Sequence, residues 1–488
     1  MPTYDEVVSS RRRGSRMGFA RCEIQVVPDH TFPQSINMVM SRSLAEKLHL
    51  AHFPVWVKFG SKVAKGWIAV HSAKSSLIRI SSKLARSLRL PDHLSLCASY
   101  DPQSHCLRIG PFLGILINTQ ATPNQPIFGA MTRFLEECAL TGQERGVCVA
   151  VFTPEQIMAE NGTTKGWLFQ SRKWQLRELP FPDVLYNRIT SRRIERRPRL
   201  QNILRFLRMQ HGVCVFNKTF LDKRQVYETL MRDPRMQNML PETHPYHPHR
   251  IRPMLNRHGI LYLKPTNGSL GSGIIRLIKT GRYIVCQYAT ANGTTTRVYR
   301  KVDTAITHLN RRVKGSSYLI QQGLHLVTSR GRPVDFRVLV QKNLHGNWAI
   351  TSVVGRIAND QHIVSNLARG GTVRKASDVL AELDPHQSKP SISKIRSTAL
   401  EVANTFEELV DGHYAELGID LAVDKSGKIW LLEINSKPSK TDDTVINPSL
   451  TTRPSVIRLI EYTLYLTRFA HARGPFPQPR NAAGRKRI

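Results

Sequence analysis

The apolar positions of the first hundred residues repeat in two similar stretches. SRSLAEKLHL (41–50) and SSKLARSLRL (81–90) match at five of ten positions, and in both a serine N-cap precedes leucines at helical spacing. Strand-like runs flank both stretches, at 22–27, 53–60, 66–71, 96–101 and 106–110. These two strand–helix–strand units predict a small pseudo-symmetric β-barrel-like domain over residues 1–109. Chance similarity between two short amphipathic helices is the alternative.

From residue 110 the pattern changes to alternating buried-strand and helical runs. Helical periodicity occurs at 127–142 and 200–212. The strand-like runs around these helices are 110–119, 147–157, 182–189 and 213–217. Alternation of this kind is typical of an open α/β sheet, which we therefore expect over residues 110–216.

Beyond residue 217 the pattern is mixed. Strand-like and helical runs share this region: 259–265, 283–288, 317–322, 333–342 and 348–358 for strands, 221–231, 392–410 and 455–471 for helices. GIDLAVD (418–424) and KIWLLEI (428–434) are predicted to form a hairpin that turns at DKSG. We expect an α+β domain over 217–472, followed by a disordered basic tail over 473–488.

Length and composition are those of a multidomain globular protein. At 488 residues and 41% hydrophobic content, the chain is long enough for about three domains. It shows neither an apolar run of the roughly 18–20 residues that span a bilayer nor the apolar stretch of a secretory signal. We expect a soluble cytoplasmic protein. Its seven cysteines form no CxxC pair and are expected to be reduced and buried.

The formal net charge of +35 favours polyanionic partners. Local basic clusters occur at 11–13, 192–199 and 485–487, without the interleaved aromatic residues of a nucleic-acid recognition module. We therefore expect salt-sensitive, non-specific association with polyanions. Specific nucleic-acid binding is an alternative that rests on charge alone.

The stretch WLLEINSKPSK (430–440) ends an apolar run with two polar side chains on one face. Glu433 and Asn435 are two residues apart, so in an extended chain they point the same way. Asp420 lies about as far from the hairpin turn as Glu433, which predicts that the two carboxylates meet across the strands. Two carboxylates and an amide oxygen suit Mg²⁺. Turn chemistry is the alternative.

A glycine- and serine-rich loop follows a lysine at the end of a predicted strand. In LKPTNGSLGSGI (263–274), Lys264 precedes three glycines whose amides could surround an anion. The loop matches neither the P-loop nor the dinucleotide-binding pattern, and a flexible turn is the alternative. Downstream, Arg337, Arg356 and SNLARGG (365–371) supply groups suited to phosphate or carboxylate, or to surface ion pairs.

In this order the motifs resemble the ATP-grasp superfamily, closest to its ribosomal-modification and glutathione-synthetase-like branch. A narrower resemblance is to YheC/YheD-type endospore coat-associated proteins, and covers most of the chain apart from its termini. The stretches that carry it are GPFLGIL (110–116), FLDKRQVYETL (220–230), IQQGL (320–324), PVDFRVLVQKN (333–343) and IWLLEINSKPS (429–439). It implies an ATP-grasp domain over 217–472, behind an α/β pre-ATP-grasp domain and the N-terminal barrel-like domain.

The resemblance also implies roles for individual residues. Contacts to ATP are implied for Lys223 and Lys264 at the phosphates, for the loop residues Gly268, Ser269, Gly271, Ser272 and Gly273, and for the adenine hinge residues Gln321, Gln322 and Leu324. Metal ligands for Mg²⁺, or Mn²⁺ as the alternative ion, are implied at Asp420, Glu433 and Asn435. Orientation of the γ-phosphate and of an acceptor carboxylate is implied for Arg337, Arg356 and Asn366. The family's acidic ribose ligand after the hinge is missing from QQGLHL, which leaves Gln322 or His325 to replace it.

The implied reaction needs no protein nucleophile. A substrate carboxylate attacks the γ-phosphate of ATP, and an amine displaces phosphate from the resulting acylphosphate to form an amide. The acid and the amine are unknown, and spore-coat components are the implied partners. The alternative is a non-catalytic, nucleotide-binding structural protein of the endospore coat.

Overall fold

In the computed structural model, the described residues form four main β-sheets with helices packed against them. These residues are 18–50, 54–72, 75–118, 127–157, 164–266, 273–290, 293–358, 371–384, 386–440 and 452–469. Within those ranges no helix has the length and apolar character needed to span a membrane.

The first sheet contains eight strands in the order β4-β3-β8-β7-β1-β6-β2-β5. Its elements are β1 (Gly18–Val27), β2 (Met38–Ser41), α1 (Arg42–Lys47), β3 (Val55–Phe59), β4 (Lys62–Gly66), β5 (Ile68–His71), β6 (Leu77–Ser81), α2 (Ser82–Leu88), β7 (Leu94–Asp101) and β8 (Cys106–Gly110). The strand β1 pairs in parallel with β6, and β2 pairs in parallel with β5. Strands that precede α1 therefore pair with strands that precede α2.

The repeat predicted from the sequence is confirmed at its helix starts. The hydroxyl oxygens of Ser41 and Ser81 each accept a hydrogen bond from the backbone N–H three residues on, both at 3.2 Å. The strands β2 and β6, which lead into these helices, pair with each other. Because β4 and β5 lie at the two ends of the strand order, closure into a barrel stays a prediction.

The second sheet has the predicted open α/β form. Four neighbouring strands are parallel, and β11 and β12, which the sequence pattern did not predict, extend one edge as an antiparallel hairpin. Its elements are β9 (Phe112–Leu116), α3 (Thr132–Arg145), β10 (Cys148–Phe152), β11 (Thr164–Gln170), β12 (Lys173–Leu179), β13 (Val184–Asn187), α4 (Arg192–Glu195), α5 (Pro198–His211) and β14 (Cys214–Phe216).

The third sheet is antiparallel, in the order β15-β20-β16-β17-β18-β19. Its region contains α6 (Lys223–Leu230), α7 (Pro234–Gln237), β15 (Thr243–Pro245), α8 (Pro248–His258), β16 (Ile260–Pro265), β17 (Ile275–Thr280), β18 (Tyr283–Thr290), β19 (Gly293–Tyr299), α9 (Val302–Val313) and β20 (Tyr318–Gln322). One face packs against α8 and α9 through a buried cluster that includes Leu261, Leu263 and Leu277. Asp222 caps α6, as predicted.

The fourth sheet contains the predicted hairpin. Its order is β24-β23-β22-β25-β26, with β21 paired beside β22. The elements are β21 (Thr328–Ser329), β22 (Arg332–Lys342), β23 (Trp348–Ile357), β24 (Thr372–Lys375), α10 (Ala376–Ala381), α11 (Ile392–Leu409), β25 (Glu416–Val423), β26 (Ile429–Asn435) and α12 (Pro454–Leu466). The helix α11 covers β22, β23 and β25.

The hydrophobic cores cross the predicted domain boundaries. One buried cluster runs from Ala20 in β1 to Val215 in β14, and another joins the second sheet to Ile460 of α12. The boundaries at 109 and 216 therefore stay predictions, and the tail over 473–488 lies outside the described residues. All seven cysteines are free; Cys214 is half-buried and the other six are buried, as expected.

Candidate functional site

The hairpin of β25 and β26 brings the two predicted carboxylates together. Asp420 and Glu433 are register partners, with an irregularity in the pairing directly after Asp420. Asp420 is buried, whereas the Glu433 side chain is 37% exposed. Asn435 pairs with Gly418 two residues further along, and its side-chain oxygen accepts a hydrogen bond from the Lys437 N–H at 2.9 Å.

Two buried arginines from the neighbouring strands neutralise Asp420. Arg337 of β22 is its register partner, and its Nη2 donates to Asp420 Oδ2 at 3.1 Å. Arg356 Nη2 lies 3.1 Å from the same oxygen, and Arg356 Nε donates to Asp335 at 2.5 Å. Burial alone would raise the pKa of Asp420, but the two arginine charges outweigh it and hold that pKa below its usual value.

The two predicted phosphate lysines face the same cluster from other elements. Lys223, the first residue of α6, has its Nζ 3.2 Å from Glu433 Oε2. Lys264, near the end of β16, donates from Nζ to Gln321 Oε1 at 2.5 Å. Burial, followed by the charge of Lys223, lowers the pKa of Lys264 to about 8, although Glu433 and Asp420 oppose that shift. The helix α6 and the third sheet therefore each present a lysine to the carboxylates of the fourth sheet.

The predicted hinge connects those two sheets. Gln321 is buried, with its amide nitrogen donating to Thr243 Oγ1 at 2.9 Å. Gln322 N–H donates to Glu242 O at 2.8 Å, and the Gln322 side-chain oxygen accepts from Glu242 N–H at 3.2 Å. Leu324 follows, half-buried, and the next carbonyl, of His325, accepts from Lys425 N–H at 2.9 Å. The hinge is thereby fixed to the turn of the β25–β26 hairpin.

Five of the predicted site residues lie outside the described residues: Gly268, Ser269, Gly271, Ser272 and Asn366. Gly273, at the end of the same loop, is described. It has a φ of +73°, in the left-handed region that favours glycine, and its carbonyl accepts from the Tyr318 hydroxyl at 3.1 Å.

The sequence-based prediction missed several polar residues beside the lysines. Asp335 forms an ion pair with Arg356. The prediction from DFR (335–337) named Arg337 and did not name Asp335. On the third sheet, Tyr262, Arg276 and Gln287 are register partners on three successive strands. Arg276 Nε and Gln287 Oε1 are buried without a hydrogen-bond partner in the described residues. The sequence contained a signal for these residues, because polar and apolar residues alternate along these strands and the polar ones therefore share one face of the sheet.

Sequence comparison identifies the family. Residues 212–466, over half of the chain, match the YheC/D like ATP-grasp family. The chain belongs to the YheC/D-like ATP-grasp family. It is 30% identical over 415 residues to the endospore coat-associated protein YheD of Bacillus subtilis (strain 168), covering 84% of this chain and 90% of YheD. YheC of the same organism is 24% identical over 315 residues, or 64% of this chain and 86% of YheC.

Solved structures give weaker likenesses than the YheC/D-like sequences. ATP-grasp ligase PsnB, complexed with minimal precursor, is 13% identical with a TM-score of 0.42, over 73% of this chain and 99% of that one. D-cycloserine synthetase DcsG is 14% identical with the same TM-score and coverage. These two structures add nothing to the assignment. The YheC/D family match itself confirms the predicted family and, with the mixed α/β sheets, the predicted ATP-grasp fold.

Proposed function

We propose that this protein is an ATP- and Mg²⁺-dependent carboxylate–amine ligase that acts through an acylphosphate and associates with the endospore coat. The observation that carries the proposal is the cluster between the third and fourth sheets. Lys223 and Lys264 face the Asp420–Glu433 pair there, and Arg337 and Arg356 lie on the adjoining strands. Such a cluster contains the charges that phosphoryl transfer requires, without a protein nucleophile.

The lysines and the hinge would bind ATP. Lys223 and Lys264 would contact its phosphates, with Gly268, Ser269, Gly271, Ser272 and Gly273 as the loop over the β- and γ-phosphates. Backbone groups from Gln321 to Leu324 would hold adenine. Of the two candidates for the ribose hydroxyls, Gln322 already accepts a hydrogen bond from the Glu242 N–H, which favours His325 for this role.

The hairpin residues fit a divalent cation. The described part of the chain contains no group of three histidine, cysteine, aspartate or glutamate side chains placed to hold a metal. Asp420, Glu433 and Asn435 instead offer two carboxylates and an amide oxygen, hard donors that suit Mg²⁺ or Mn²⁺ and leave positions for phosphate oxygens. When bound, the ion would supply charge neutralisation at the phosphates. Lys223 would then exchange its contact with Glu433 for the phosphates.

The arginines would position the reacting groups. Arg337 and Arg356 hold Asp420 from two strands, so their guanidinium groups are fixed beside the proposed cation. With Asn366 they would orient the γ-phosphate and the carboxylate that attacks it. Their positive charge would offset the charge of the transferring group. The amine would then displace phosphate from the acylphosphate.

A second function is favoured by one feature of the same cluster. Asp420 is already neutralised by Arg337 and Arg356 without a metal, as in a site that binds nucleotide but does not turn it over. The relatives YheD and YheC are named as endospore coat-associated proteins. A non-catalytic nucleotide-binding protein of the coat would fit both observations. A ligase would work in the cytoplasm or at the coat.

Replacing Glu433 with glutamine tests the proposal. We expect Glu433→Gln to lose Mg²⁺-dependent ATP binding and to lower the rate of ADP release by about a hundredfold or more. The substitution removes a proposed metal ligand and the negative charge that faces Lys223 beside the proposed phosphate site. Calorimetry with ATP, with and without Mg²⁺, measures the binding. A screen of ADP release with candidate acids and amines measures turnover.

The control for Glu433→Gln is Glu408→Gln, which removes an exposed carboxylate paired with Arg235 on the surface. It should bind ATP like the wild type. ATP binding without turnover in any acid–amine pair would favour the structural coat protein. Full turnover in a folded Glu433→Gln variant would remove Glu433 from the site.

A further inference from the structure

Buried charged side chains are almost all paired in this protein. Ten are buried in the described residues: Arg188, Glu195, Asp335, Arg337, Lys342, Arg356, Glu416, Asp420, Lys437 and Lys440. Nine of them have an opposite charge within ion-pair distance. Arg188 is the exception within the described ranges. A buried charge without a partner is costly, so it calls for a physical explanation.

Arg188 directly follows β13, at the carboxyl end of a parallel strand in the second sheet. Its side chain is only 3% exposed. Its Nη2 donates to the carbonyl of Pro438, but Nε and Nη1 are buried with no hydrogen-bond partner among the described residues. Among the described residues, three N–H donors of this guanidinium therefore have no acceptor.

The described residues around Arg188 carry surplus positive charge. Lys437 Nζ lies 3.0 Å from Glu195, and Lys440 pairs with Glu416. These two pairs balance, which leaves the charge of Arg188 in excess within the described part of the chain. Burial lowers the pKa of Lys437 to about 8, and Arg188 adds to that shift although Glu195 opposes it. One further negative charge would balance the group.

This group adjoins the proposed catalytic cluster. A Cβ placed on Gly418 would lie 2.8 Å from Arg337 Nη1 and 3.0 Å from Pro438 Cβ. Pro438, whose carbonyl accepts a hydrogen bond from Arg188, therefore flanks the same glycine as the Arg337 guanidinium. It is also three residues beyond Asn435. Arg188 is thus joined through Pro438 to the stretch of chain beside Arg337, the arginine assigned to the acceptor carboxylate.

We propose that Arg188 is a specificity-determining residue that binds an anionic group of the acceptor, a second carboxylate or a phosphate, where the second sheet meets β26. The assignment of this anionic group to an acceptor substrate rests on the proposed ligase function. Binding must shift the segment 436–440 away from the end of β13, because Lys437 Nζ donates to the Asn187 carbonyl at 2.6 Å and closes this junction. The anion would then supply the missing acceptors to Nε and Nη1.

Thermal unfolding of the full chain tests this proposal without ATP. Melting is measured in sodium chloride, sodium sulfate and sodium glutarate at equal ionic strength, for the wild type and for Arg188→Met. We expect Arg188→Met to melt about 2 °C higher than the wild type in chloride, because an unpaired buried charge is gone. The wild type should gain about 2 °C or more from one of the two anions relative to chloride, and Arg188→Met should lose that gain. Sulfate would indicate a phosphate group and glutarate a carboxylate.

Lys440→Met is the matched control, since it removes a buried cation that has a partner. It should melt lower than the wild type and keep the anion gain. Arg188→Lys keeps the charge but not the donor geometry, and should show a reduced gain. Equal anion gains in the wild type and Arg188→Met would overturn the proposal, as would a loss of stability in Arg188→Met as large as that in Lys440→Met. Because ATP is absent, neither result depends on the nucleotide site.

Discussion

At the scale of single residues, burial and neighbouring charges determine the charge state of the side chains in the candidate site. Lys264 occupies a half-buried place near the end of β16, where burial and the charge of Lys223 lower its pKa to about 8. Below that pH the ammonium is charged and can bind phosphate; above it the neutral amine cannot. A nucleotide phosphate would favour the charged form and raise the pKa of this lysine.

Proton uptake on ATP binding follows from the pKa of Lys264. At pH 8, where half of Lys264 is neutral, binding should take up about half a proton. ATP affinity should fall between pH 7 and pH 9. Lys264→Met should abolish the uptake and weaken binding about tenfold or more, since a charge-assisted hydrogen bond is lost. Calorimetry in two buffers of different ionisation enthalpy measures the uptake.

The control for Lys264→Met is Lys279→Met, which removes an exposed lysine on the next strand of the same sheet. It should keep both the affinity and the proton uptake. Lys437 also has a pKa of about 8, so uptake that persists in Lys264→Met would assign the proton to another group.

At the scale of elements, paired serine caps define the two halves of the first sheet. Ser41 and Ser81 begin α1 and α2 in the same way, and the strands that precede these helices pair with each other. A side chain at the N-cap satisfies an amide that the helix itself cannot. Ser41 also donates to the Ser75 carbonyl, so its contribution exceeds that of a cap alone.

Removing the caps should lower the free energy of unfolding. We expect Ser81→Ala to cost about 1 kcal/mol and Ser41→Ala to cost more, because it loses a cap and a second hydrogen bond. Urea denaturation measures both. Ser87→Ala, on the exposed side of α2, should change stability by less than about 0.5 kcal/mol. Caps that cost no more than this control would contradict the assigned role.

At the scale of the whole molecule, buried polar contacts join the second sheet to the fourth. The Tyr186 hydroxyl donates to Glu416 at 2.7 Å, and Gln341 donates to the other oxygen of that carboxylate at 2.8 Å. Asn217 donates to the carbonyls of Glu416 and Ser436. The second sheet is therefore fixed against the strands that carry the candidate site. The surface, by contrast, carries most of the net charge of +35.

The net charge predicts non-specific binding to polyanions. Two DNA duplexes of unrelated sequence should bind with equal affinity, and this affinity should fall about a thousandfold or more between 50 and 200 mM salt as counterions are released. Fluorescence anisotropy over a salt titration measures it. Preference for one duplex, kept at high salt, would instead show specific nucleic-acid recognition.

The sequence by itself determined what local pattern can encode. Strand and helix periods predicted the hairpin of β25 and β26, and equal distance from its turn predicted that Asp420 meets Glu433. Serine before helical spacing predicted both caps. The order of the motifs predicted the family, which the comparison confirmed. The edge strands β11 and β12 were missed because their pattern mixes lysine, arginine and glutamine with apolar residues.

Only the tertiary structure decided which charges face one another. Nothing local in the sequence pairs Arg356 with Asp335 or Lys437 with Glu195, because those partners are brought together by sheet register and by the packing of the second sheet on the fourth. The same holds for Arg188, whose open donors depend on the neighbours that bury it. Charge interactions depend on distance and burial in three dimensions, whereas strand and helix periods follow from the spacing of residues in the sequence.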